Sequence, residues 1–128
     1  MKKRVLAAFL LILALSAFLT SCKKEKSSFV SYQMFDYGVA ALEIADDFLD
    51  DKITAYEAVL RLSNNIRFQK VHLSSEKEYL SDGPPIFDSN VIFETEFLMN
   101  AISDKANGKC TIDKVKERYE TLYETLYD

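Results

Sequence analysis

IDKVKERYETLYETLYD, residues 112–128, is the stretch from which the architecture follows. Ile112, Val115, Tyr119, Leu122 and Leu126 recur at alternating steps of three and four. Residues at those steps stack on one side of an α-helix, so the apolar side chains form a single stripe. Glu117, Glu120 and Glu124 fall away from it. A helix of this length gains most of its stability from packing that stripe, so the segment predicts partners of its own kind.

Working back from it, Asn107-Gly108 predicts a left-handed cap at the end of a preceding helix. That helix is expected from about Asn90 to Lys105 and carries Phe93, Phe97, Leu98, Met99 and Ile102. Before it, Ser81-Asp82-Gly83-Pro84-Pro85 reads as a loop, with a short helical turn expected over Ser75–Leu80. Thr54 with Glu57 three residues on forms a capping box, and Ile53 is placed to staple onto Ala58. The helix begun there passes through Val59, Leu60, Leu62 and Ile66 to about Val71.

The first helix of the set is predicted over Ser31–Leu49. On a wheel of 100° per residue, Asp36, Glu43, Asp47 and Asp50 share one narrow strip. Phe35, Val39, Leu42 and Leu49 lie to one side of it, and Met34, Tyr37, Ala41, Ile44 and Phe48 to the other. A helix apolar over that much of its circumference belongs at the centre of its bundle. The two halves also echo each other. Asp51-Lys52-Ile53-Thr54 and Gly108-Lys109-Cys110-Thr111 stand 57 positions apart, each joining a long apolar helix to the next. The expected fold is therefore all-α, a small four-helix bundle of two helical hairpins.

The N-terminus has a different character. Lys2, Lys3 and Arg4 precede an apolar run from Val5 to Phe18, interrupted only by Ser16, and Leu19-Thr20-Ser21-Cys22 closes it. A spanning helix needs about 20 apolar residues, so the run suits the core of a secretion signal better. These first 22 residues resemble the signal and lipobox of bacterial lipoproteins. The resemblance implies that Leu19, Thr20 and Ser21 are read by signal peptidase II, which cuts before Cys22. It implies a diacylglycerol on the Cys22 thiol and often an acyl group on its amine, and two chains together anchor a protein stably. With Lys23 rather than aspartate following, it also implies the outer membrane in a host that has one, and otherwise the outer face of the cytoplasmic membrane.

The expected organisation is a signal over 1–21, the lipidated cysteine with a charged, disordered tether over 22–28, and a helical domain over 29–128. Removing residues 1–21 leaves 107 of the 128, enough for one core. Three of the sixteen basic residues go with the signal, so thirteen Lys and Arg face twenty Asp and Glu, a formal charge of −7. That balance argues against nucleic acid as a partner. With Cys22 lipidated, Cys110 has no cysteine to pair with inside the chain, and the fold must rest on packing.

The residues offer little chemistry beyond this. Asp46, Asp50 and Glu57 fall at the first, fifth and twelfth places of a calcium loop. Phe48 occupies a ligand place, however, and Asp51 stands where the turn needs glycine, so no metal site is expected. His72 is the only histidine, no catalytic spacing surrounds it, and no enzyme activity is expected. Cys110 takes the place of Ile53 in the second hairpin and is read as a staple onto Val115.

What remains are surfaces. The strip Asp36, Glu43, Asp47 and Asp50 is a candidate docking face for a basic partner. Tyr119, Tyr123 and Tyr127, at the margin of the last helix's apolar stripe, are candidates to line an interface. The reading reached is a membrane-anchored, non-enzymatic module that binds an envelope or extracellular protein, with no cofactor beyond the covalent diacylglycerol. Two alternatives are a small-ligand binder with a cavity between its helices, and an immunity-type protein that neutralises a basic toxin.

Overall fold

Four α-helices follow one another in the computed structural model, which describes residues 24–75 and 87–128. They are α1 (Tyr32–Leu49), α2 (Ala55–Ser75), α3 (Asp88–Ala106) and α4 (Ile112–Leu126). Residues 1–22, and the predicted turn and loop between Ser75 and Pro85, lie outside the described residues save for Ser75, which ends α2.

Local chemistry sets most of the helix ends. Ser31 caps α1, its hydroxyl accepting from the Met34 amide at 3.3 Å. Thr54 caps α2 through the Glu57 amide at 3.2 Å. Only half of the predicted capping box forms there, because the Glu57 carboxylate pairs with Arg61 at 2.6 Å, one turn along the same face. α3 starts two residues earlier than expected, with Asp88 in its first turn, where a carboxylate complements the free amides.

The two hairpin turns are built alike, as the echo predicts. Lys52 and Lys109 donate their amides to Asp47 O and Asp104 O, both at 2.8 Å. Asp51 and Gly108 donate to Phe48 O and Lys105 O, both at 3.1 Å. The six-to-one bond of the first pair marks a Schellman turn, which needs a left-handed residue after the helix. Asp51 takes φ 58° and Gly108 φ 71°. Glycine is at ease there, and aspartate is among the few other residues that adopt this conformation regularly.

α2 and α4 each pack on both α1 and α3, and α1 and α3 also touch. The contacts of α3 are the more extensive, so α3 holds the central place that the apolar circumference of α1 predicts for α1, whose acidic strip instead faces solvent. Met34, Leu62, Leu98, Ile102, Val115, Leu122 and Leu126, drawn from all four helices, are wholly buried. A polar chain crosses this core. The Asn65 amide donates to Tyr37 O at 3.0 Å, Gln69 Nε2 donates to Asn65 Oδ1 and to Thr95 Oγ1, and the Thr95 hydroxyl donates to Val91 O at 2.7 Å. It ties α1, α2 and α3 together in one register, since each of these buried groups needs its partner.

Another expectation needs correcting. The composition of 22–28 predicts a disordered tether, yet the chain is docked from Glu25 onward. Lys26 and Tyr127 form an antiparallel bridge, Ser27 N donates to Leu126 O at 2.8 Å, and Asp128 N donates to Glu25 O at 2.9 Å. Ser27 and Val30 are buried. Charge along the segment hides this, because the pairing uses backbone groups that every sequence has.

Candidate functional site

The predicted acidic strip lies along α1. Asp36, Glu43 and Asp50 are exposed and Asp47 is half-buried. At its end Lys52 Nζ stands 3.8 Å from Asp47 and 3.7 Å from Asp50, partly neutralising both. At a surface such pairs contribute about 0–1 kcal/mol, so they hold little structure together.

The predicted tyrosines lie on the flank of α4 that meets α1. Their side chains are half-buried. The Tyr119 hydroxyl donates to Asp46 Oδ2 at 3.2 Å, the Tyr127 ring meets the edge of Phe35 at 5.3 Å, and Tyr123 lies 4.6 Å from Tyr127. These rings fill the α1–α4 seam. The structure thus sets the acidic strip beside the tyrosine row, a neighbourhood no linear reading could show.

Burial at that seam pushes the Tyr119 hydroxyl from 10.0 up to about 12, and the nearby Asp46 carboxylate adds to the shift. Burial and Tyr123 also raise Tyr127. A raised folded value means the protonated form favours the fold. That stability is complete below the unfolded value near 10 and is lost as pH rises toward 12. Unfolding measured across this window should show stability falling more steeply for the wild type than for Tyr119→Phe. Parallel curves would show that the Tyr119 hydroxyl carries no linkage.

The opposite side of the molecule holds what the sequence reading missed. An open groove of about 730 Å³ runs between α2 and α3, with Ile66 and Met99 among its lining and Arg67, Lys70 and Glu96 also along it. Lys70 and Glu96 are paired across it. Val71 lines it at 59% exposure. Leu60, 50% exposed, precedes Ser63 and Arg67 by three and seven residues, and Phe93, 54% exposed, precedes Glu96 and Asn100 by the same steps. Both therefore extend this face along their helices. The sequence carried no clear signal of it: the inward stripe of α2, Ala58, Leu62, Asn65 and Gln69, includes two polar residues, so only the packing shows that Leu60 and Val71 face away from the core.

His72 is half-buried beside the Tyr37 ring, 6.1 Å between centroids. The Cys110 thiol is half-buried and donates to Ala101 O at 3.4 Å, so it closes the second hairpin against α3. Among the described residues no cluster of three or more His, Cys, Asp or Glu is placed to hold a metal ion. Within the same residues no helix is long and apolar enough to cross a membrane. Comparison with family models, with curated proteins and with solved structures finds no match to this chain.

Proposed function

We propose that this chain is a lipid-anchored envelope protein whose helical bundle works as a docking module for another protein rather than as an enzyme. Cys22, preceded by Leu19-Thr20-Ser21, is the attachment point in this reading, in the outer membrane where the host has one. The observation that carries the docking role is the apolar face of α2 and α3. Val71 in the groove, and Leu60 and Phe93 on the same face beyond it, stand half exposed or more, where a soluble surface favours polar residues. Such side chains, rimmed by Arg67, Lys70 and Glu96, have the make-up of an interface centre with a charged margin.

The acidic strip is the competing face, and one experiment separates the two. The full precursor is expressed in its host and crosslinked in native membranes, as wild type, as Val71→Glu with Phe93→Glu, and as Asp36→Lys with Glu43→Lys and Asp47→Lys. Loss of the crosslinked partner in the first variant alone assigns the groove face. Loss in the second alone moves docking to α1. A partner set unchanged in both sinks the docking reading. Cys22→Ser in the same host should leave an unlipidated precursor by mass spectrometry, and a lipidated product would sink the anchor.

A further inference from the structure

We infer that the end of the bundle where the chain enters is a membrane-contacting surface, with Phe29 and Tyr32 seated among the lipid headgroups. This rests on the lipid anchor at Cys22 proposed above and adds an orientation to it.

The length of chain is the first argument. Glu25 is already held by Asp128, at 2.9 Å from amide to carbonyl, and only two residues separate it from Cys22. Three Cα steps of about 3.8 Å span roughly 11 Å at most. α1, with 18 residues, is itself about 27 Å long. An anchor at Cys22 therefore keeps the entry end at the bilayer, while the hairpin turns at Asp51 and Gly108 lie a helix length away.

The second argument is what that end displays. Phe29 is 49% exposed and packs at 5.3 Å on Phe87, and Tyr32 is 80% exposed. Lys26 Nζ stands 4.7 Å from the centre of the Tyr32 ring, and Lys24 Nζ stands 5.4 Å from that of Tyr123. The Lys26 ammonium is held by the carbonyls of Ser27 and Val30, which leaves Lys24 as the exposed cation of the pair. An exposed apolar ring, a tyrosine with a polar edge and an exposed lysine suit the boundary between hydrocarbon and water. Glu25 and Asp128 share this end and offset the lysine charge, so the aromatic rings supply the attraction.

The chain has no tryptophan, so one introduced indole reports its own surroundings alone. Full-length precursors of Phe29→Trp, Tyr32→Trp and Tyr56→Trp are expressed and lipidated in the host. They are then reconstituted in phosphatidylcholine vesicles with and without bromines on the upper acyl chain. Tyr56, also 80% exposed, opens α2 at the far end and is the control. Far-UV circular dichroism confirms that each variant is folded, and the exposed Tyr32 site carries the test if Phe29→Trp is not. Bromolipid should quench emission at 29 and 32 and leave 56 unchanged. Protein that floats with the vesicles but shows no quenching at 29 and 32, or equal quenching at 56, overturns the orientation and leaves the anchor standing. Protein that does not float overturns both.

Discussion

Leu126→Ala is expected to cost about 2–5 kcal/mol, the usual range for truncating a wholly buried leucine. Against a total stability of about 5–15 kcal/mol for a domain of this size, that is a large share. The side chain fits a specific gap. Gly38, buried in the middle of α1, leaves space that a Cβ would fill at 2.5 Å from Leu126 Cδ2 and 2.8 Å from Cδ1. Gly38→Ala therefore gains about 1 kcal/mol of helix propensity but loses about 1–3 kcal/mol to overpacking, because Leu126 has no exposed direction in which to retreat. The double variant should be more stable than the two single losses added together, since the new methyl enters the space that the leucine left. Urea unfolding followed by circular dichroism measures all three. Strict additivity would show that the two positions do not share that space.

Asp88→Ala should follow closely in size. Asp88 is wholly buried at the start of α3, and its Oδ1 accepts from the Ser31 amide at 2.8 Å. The bond joins the cap of α1 to the first turn of α3, residues 57 apart in the chain. Alanine leaves a part-buried amide without its acceptor, at about 1–3 kcal/mol, and removes a carboxylate from the helix start, at about 0.3–1 kcal/mol. Oδ2 has no hydrogen-bond partner among the described residues, which makes Asp88→Asn informative. It keeps the acceptor and should recover most of the loss. If asparagine is as damaging as alanine, the charge at the helix start matters more than the bond to Ser31.

The acidic strip and the apolar groove differ in how readable they were. Asp36, Glu43, Asp47 and Asp50 share a strip on any wheel, because one helix's geometry is all that the assignment needs. Leu60, Val71 and Phe93 required the packing, since an apolar residue on a helix is inward or outward only with respect to neighbours. The tyrosines show the limit from the other side. Their place at the margin of α4 follows from spacing, while their role as filling between α1 and α4 depends on Phe35 and Asp46 arriving there.

Four helices, their caps and the paired turns at Asp51 and Gly108 are matters of local order. Each depends on residues within about one helical turn, where backbone hydrogen bonding and side-chain period act without reference to the rest of the chain. Contacts across the chain followed another rule. The approach of Leu126 to Gly38, the bond from Ser31 to Asp88 and the pairing of residues 25–27 with the C-terminus join positions whose types do not announce each other. They arise because close packing admits few arrangements of four stripes, and the arrangement adopted then determines which backbone groups meet and which apolar faces stay open.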